Sequence, residues 1–164
     1  MNITEAIAAL EKQVPNPSEG LPEELFLYIS RVTPLVNIDL LIKDENGRTL
    51  LAWRDDQFTG NGWHVPGGIV RFKERLETRV KKVIEKEIGA DVSYDMTPIA
   101  MNELIYAPRA TRSHFISFLY KCSLPGAFVP PNRGLTPQDN GYLQWHEACP
   151  QNMIRVHEIY RKYI

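Results

Sequence analysis

The spacing of apolar residues changes character several times along the chain. Residues 4 to 13, "TEAIAALEKQ", repeat at helical spacing behind a capping Thr4 and predict a short helix. "VPNPSEGLP" interrupts it as a linker, and "PEELFLYISR" predicts a second helix with proline at its first position. From Pro34 the pattern becomes that of strands. "PLVNIDLLIKDENGRTLLAWR" reads as two apolar strands joined by a turn at Glu45, Asn46 and Gly47, a hairpin signal. "DDQFTGNGW" is a polar loop, and "WHVPGG" a short strand ending in glycines. A helix follows and closes at Gly89. "DVSYD", "PIAMNELIYA", "SHFISFLYKCSL" and "GYLQWHEA" are strand candidates, with a proline-rich loop over 124–140 before the last. "NMIRVHEIYRKYI" predicts a terminal helix. The sum is an α/β (α+β) fold, a mixed sheet with helices packed on it. Residues 1–30 form an N-terminal helical extension and residues 31–164 the main domain.

The glycine-led helix raises a chemical question. With about 100° per residue and Leu76 at zero, Val80, Val83, Ile84 and Ile88 form one apolar stripe. Glu87 falls at roughly 20°, inside that stripe, in the last turn, where the helix dipole opposes an anion. A buried carboxylate needs compensation. An arginine partner, a frayed helix end or a bound cation would each supply it. The Gly-Gly turn and the hard oxygen donor favour the cation, of the Mg²⁺ type.

Composition narrows the function classes without choosing one. The chain has 164 residues, 43% hydrophobic and 24% charged, with a net charge of −1. That balance gives no field for extensive nucleic-acid binding. No apolar run approaches a membrane span, and no signal pattern opens the chain. Cys122 and Cys149 form no CxxC pair, and two free thiols of a cytoplasmic protein are expected.

"WHVPGGIVRFKERLETRVKKVIEKEIGAD" resembles a Nudix box, the signature of the Nudix hydrolases. Gly68, Glu74, Ile84, Glu87 and Gly89 match its spacing. Lys82 stands where arginine is usual, while Val83 and Lys86 replace two metal-binding glutamates. The GDP-mannose mannosyl hydrolases show a similar departure and keep the last acid. "TPLVNIDLLI", "SHFISFLYKC" and "VHEIYRKY" also resemble segments of that subfamily.

The resemblance implies a Nudix fold and Mg²⁺-dependent (or Mn²⁺-dependent) hydrolysis of a nucleoside-diphosphate sugar, GDP-mannose-like. Water would attack the sugar C1, and nucleoside diphosphate would leave. The metal ligands would be Glu87, the Gly68 carbonyl and Gln138. Arg54 would contact phosphate, and Asp39 would lie beside the reacting sugar. Strand alternation puts Asp39 with Asn37 and Leu41 on one face. Ile69 replaces a diphosphate-binding arginine, for which Arg71 is the nearest substitute. Asp139 occupies the place of the general base, with the turn role of Asp-Asn-Gly as its alternative. His114, at the start of a strand, is a further candidate facing the cleft, or else a structural histidine. Lys86 would offset diphosphate charge, or else is a solvated lysine. A homodimer in the cytoplasm is expected. Two rivals remain: a Nudix pyrophosphohydrolase attacking phosphorus, and a non-catalytic Nudix-fold module binding a nucleotide or a protein.

Overall fold

The structure is a computed structural model describing residues 2–164. Two helices come first, α1 (Ile3–Gln13) and α2 (Glu23–Val32), linked through a single 3₁₀ turn at Pro17–Glu19. Asn2, rather than the expected Thr4, caps α1, its side chain accepting from the Glu5 N–H while Glu5 reaches back to the Asn2 N–H, a reciprocal capping box. The strands are β1 (Leu35–Lys43), β2 (Thr49–Asp56), β3 (Gly60–His64), β4 (Gly67–Ile69), β5 (Ser93–Tyr94), β6 (Ala100–Ile105), β7 (His114–Ser123) and β8 (Leu143–His146). Among the described residues they make one mixed eight-stranded sheet.

A fork in this sheet positions the site. β1 runs parallel to β7 from Leu35↔Phe115 to Lys43↔Ser123. Its other edge is divided, with Lys43 opposite Thr49 of β2, and Asn37, Ile38 and Asp39 opposite Ile69, Gly68 and Gly67 of β4. β2 divides in the same way. Thr49 is opposite both Lys43 and His146, and Ala52 is opposite both His64 and Leu143. A sheet residue has one neighbour on each side, so β3 replaces β1 along the same edge of β2. The first and second strands therefore diverge, and Val65-Pro66 bridges the gap, the Pro66 carbonyl accepting from the Leu40 N–H at 2.8 Å.

Alternation along β1 sends its two faces into two cores. Ile38, Leu40 and Ile42 pack with Val80, Val83, Ile84 and Ile88 of the following helix. Leu41 joins Leu51, Trp53, Trp63, Leu119 and Tyr160 on the opposite face. The sheet is thus sandwiched between helical layers, as the sequence pattern predicts.

Three elements differ from the sequence expectation. The helix after the glycines begins only at Leu76, because Val70–Arg75 is a turn; α3 spans Leu76–Val83. Its continuation, Ile84–Ile88, is a π turn, closed by the Gly89 N–H on the Ile84 carbonyl at 2.8 Å with Gly89 at φ 68°. Such wide turns recur at functional sites. The terminal helix is 3₁₀ over Arg155–Tyr163, its buried His157 and Tyr160 three residues apart on one face.

Candidate functional site

The glycine-led loop is braced by an acid. The Glu74 carboxylate accepts from the Arg71 N–H at 3.0 Å, from Arg79 Nε at 2.8 Å and from Lys82 Nζ at 2.9 Å. Burial alone would raise its pKa, but these donors outweigh it and bring it to about 2. Lys82, standing where the resembled signature has arginine, is thus one of the Glu74 donors. Close approach explains the glycines themselves. A Cβ on Gly67 would stand against the Asp39 carboxylate and 2.5 Å from the Ile38 carbonyl, and one on Gly68 would lie 3.0 Å from Val83 Cγ2.

Two adjoining cavities open at the fork. The smaller, about 150 Å³, is lined by Asp39, Gly67, Gly68 and His157 among others. The larger, about 470 Å³, runs past Lys86, Glu87 and the loop residues Asn132 and Asn140. Arg54 and His64 line both. Glu87 is half-buried at this junction, and among the described residues no ion pair engages it. Burial pushes its carboxyl up to about 7; Asp39 adds to this, while Arg54, Lys86 and the Gly67 N–H oppose it. Val83, in place of a box acid, is 4% exposed and belongs to the core.

Asp39 is 1% exposed and fully engaged. Oδ1 accepts from Asn37 Nδ2 at 3.0 Å, while Oδ2 accepts from the Tyr160 hydroxyl at 2.6 Å and from Ser117 Oγ. Three elements, β1, β7 and the terminal helix, therefore fix one carboxylate. His157 stands behind it, Nε2 3.9 Å from Asp39 Oδ1. Its Nδ1 accepts from the Val65 N–H at 3.1 Å, which puts the proton of the neutral ring on Nε2. Burial holds His157 at about 4, against the Asp39 charge, so the ring is neutral near pH 7. His64 has the complementary tautomer. Its Nδ1 meets the Val65 carbonyl at 2.9 Å, and since a carbonyl only accepts, Nε2 is left unprotonated. Burial, with Arg54 and His157 adding to it, lowers His64 well below its ordinary pKa.

The sequence-predicted residues separate into two groups. Asp39, Arg54, Gly68, Lys86 and Glu87 come together at the two cavities. Four others lie elsewhere. Arg71 donates to the Glu19 carbonyl and faces the N-terminal segment rather than the cleft. Asp139 accepts from the Thr136 N–H at 2.6 Å and hydroxyl at 2.8 Å, closing an exposed turn that also carries Gln138. The adjacent Asn140 is the loop residue at the larger cavity, its side chain bonded to both the N–H and the carbonyl of Asp55. His114 alternates with Phe115 and Ser117 and so projects from the other face of β7, with Nε2 3.5 Å from Glu103.

Residues to which the sequence reading gives no site role also line the smaller cavity, notably His64, His157, Arg109 and Arg112. Only the fold brings His157 to His64, 93 positions earlier, and no local pattern announces it.

A family model, the NUDIX domain, matches residues 33–162. The chain belongs to the NUDIX family. Among its relatives is the low-salt glycan biosynthesis protein Agl8 of Haloferax volcanii, 27% identical over 154 residues, covering 84% of this chain and 97% of that one. A MutT NUDIX hydrolase from Burkholderia pseudomallei superposes with a TM-score of 0.62 at 23% identity, over 80% of this chain and 98% of that one. A possible asymmetric diadenosine tetraphosphate hydrolase from Jonesia denitrificans gives 0.54 at 26% identity, over 70% and 77%. This NUDIX chain thus has the fold of hydrolases of its family. No described helix is long and apolar enough to cross a membrane, and both cysteines are free thiols.

Proposed function

We propose that this protein hydrolyses a nucleoside-diphosphate sugar, with water attacking the sugar C1. The observation that carries the reading is the make-up of the box. Val83 is buried in the core, Lys86 lines the larger cavity, and Glu87 is the one acid left at the metal-binding positions of the box, Glu85 standing at a variable position on the exposed rim of the same cavity. Attack on phosphorus with several metal ions needs more acids than this. Departure of a diphosphate from carbon needs chiefly charge neutralisation, which Lys86 and Arg54 supply. The glycan-related description of the Haloferax volcanii relative supports a sugar substrate.

Among the described residues no group of three His, Cys, Asp or Glu could enclose a metal ion. The donors at the junction, the Glu87 carboxylate and the Gly68 carbonyl, are hard oxygens that fit Mg²⁺ or Mn²⁺ completing its shell with water and diphosphate oxygens. Such an ion would neutralise the leaving group. In the reaction the water oxygen bonds to C1, the C1–O bond breaks, and the electron pair leaves with the diphosphate. Asp39, held by its three donors, stabilises positive charge developing at the sugar. His64, neutral and with Nε2 unprotonated, receives the water proton. A cytoplasmic homodimer, with residues 1–30 as an extension of domain 31–164, belongs to the same reading.

Hydrolysis of a nucleotide-sugar panel in ¹⁸O water with Mg²⁺ tests it. The label is expected in the anomeric hydroxyl of the free sugar, beside unlabelled nucleoside diphosphate. Label in a phosphate group assigns attack to phosphorus. Binding without turnover assigns a non-catalytic module.

A further inference from the structure

The smaller cavity holds more positive charge than one diphosphate contact requires. Arg54, Arg109 and Arg112 all line it. Arg109 and Arg112 do not reach the larger cavity, where Lys86 and Glu87 lie. Among the described residues no acid forms an ion pair with either of them. Asp56 is the acid whose charge acts on both; it lies 3.8 Å from Arg54 Nε, and its Oδ1 is occupied by the Phe58 and Thr59 N–H groups and the Thr59 hydroxyl. Glu23 adds a weaker attraction on Arg112. Among the described residues, neither Arg109 nor Arg112 has a carboxylate within 4 Å.

The two side chains are nevertheless built into place. Arg109 donates to the carbonyls of Phe58 and Arg112, and its buried Nε has no partner. The Arg112 guanidinium lies 4.8 Å from the Phe58 ring centroid and 5.8 Å from that of Phe26. Its main-chain N–H is fixed by Ser30 Oγ at 3.0 Å, and its backbone sits at φ 50°, a strained conformation for a side chain of this size. Strain of this sort persists where the surroundings hold a residue for a task. A guanidinium packed against two rings, without an acid, presents a planar fork suited to a carboxylate.

We propose that Arg109 and Arg112 form an anion subsite for the sugar, so that the substrate is a nucleoside diphosphate joined to an acidic sugar, a hexuronate. The inference rests on the nucleotide-sugar reading above and deepens it. The diphosphate is assigned to the junction, where Arg54 meets Glu87 and Lys86. The sugar is assigned to the smaller cavity beside Asp39, and its carboxylate to the two remaining guanidiniums. A site that pairs buried donors with a substrate group discriminates strongly against the analogue lacking that group.

Calorimetric binding and hydrolysis with the full chain and Mg²⁺ test this, using UDP-glucuronate against UDP-glucose and GDP-mannuronate against GDP-mannose. At least one uronate is expected to bind with a Kd tenfold or more lower than its neutral counterpart and to exceed it tenfold or more in kcat/KM. Arg112→Gln, Arg109→Gln and Arg112→Lys are each expected to shrink that ratio. Arg112→Lys keeps the aliphatic stem between Phe26 and Phe58, so it reports on the lost fork if the glutamine variant folds poorly. Equal loss for acidic and neutral substrates would assign the pair to the diphosphate and overturn the subsite. Hydrolysis of both sugars without preference overturns the subsite alone. Binding with preference but no turnover upholds the subsite and removes the hydrolytic reading. No binding of any of the four removes both.

Discussion

The Tyr160 hydroxyl donates to Asp39 Oδ2 at 2.6 Å, tying the terminal 3₁₀ helix to the middle of β1. The pair is separated by 121 positions, so the terminal helix fixes the carboxylate that lines the smaller cavity. Tyr160→Phe keeps the ring and removes one donor from a buried acid. A hydrogen bond to a charged group contributes about 1.5–3 kcal/mol. Loss of that size in a urea titration, with a fall in kcat larger than any change in KM, is expected. An unchanged midpoint would mean that Ser117 and Asn37 suffice.

Glu74 gives a prediction in pH. Its folded pKa of about 2 lies below the ordinary 4.5. A depressed acid contributes stability above 4.5, and the contribution fades as pH falls towards 2. At ~1.36 kcal/mol per pH unit the displacement is worth on the order of 3 kcal/mol. Glu74→Gln should lower the melting temperature at pH 7 and leave it near that of the parent at pH 2.5. A difference that persists undiminished in acid would contradict the assignment.

Glu87 has the opposite sign. Its folded pKa of about 7 lies above 4.5, so in metal-free buffer stability falls as pH rises from 4.5 to 7 and then levels off. Glu87→Gln removes that decline, giving a more stable protein at pH 8 by up to roughly 3 kcal/mol, while Mg²⁺-dependent turnover is lost. Urea midpoints at pH 5 and pH 8 in EDTA, for parent and variant, check both halves. Identical pH slopes would show that another group titrates.

At Gly67 the prediction is steric. Gly67→Ala would force a methyl group against Asp39 and the Ile38 carbonyl, which calls for a backbone shift costing about 1–3 kcal/mol or more. Gly68→Ala meets only side chains, Val83 and Arg79, and should cost less. Thermal melts of the two variants rank them; a reversed order would show that β4 moves freely away from β1.

Lys86 is exposed and lines the larger cavity. Lys86→Ala should raise KM about tenfold, the equivalent of ~1.4 kcal/mol, with little change in melting temperature. Unaltered kinetics would make it an ordinary solvated lysine.

The sequence makes the local parts of this design legible and the distant parts opaque. Alternation in "VNIDLLI" separates Asp39 from Ile38 and Leu40, and the two faces do enter different cores. The 3.6 period finds the stripe from Leu76 to Ile88, but a period cannot foresee that its last turn widens into a π turn. Arg71 illustrates a different limit. An extended exit from Gly-Gly would put it on the same face as Ile69, but residues 70–75 form a turn that Glu74 braces, and the side chain leaves towards Glu19. Asp139 and His114 have chemistry suited to a base, yet a turn and a strand face direct them away. His64, His157, Arg109 and Arg112 converge only through pairings between strands and the terminal helix, which residue spacing does not encode.

The fork has an evolutionary consequence. On its far edge β2 is completed by β8 and then by main-chain bonds between Trp53 and residues 141 and 142. One wall of the larger cavity is therefore supplied by the segment around Asn132 and Asn140 that leads into β8, outside the β1–β7 pairing that holds Asp39. Insertions or exchanges there can remodel what the cavity admits while Asp39 and its three donors keep their places. A lineage could change what it binds and conserve the rest of the site through edits to one loop.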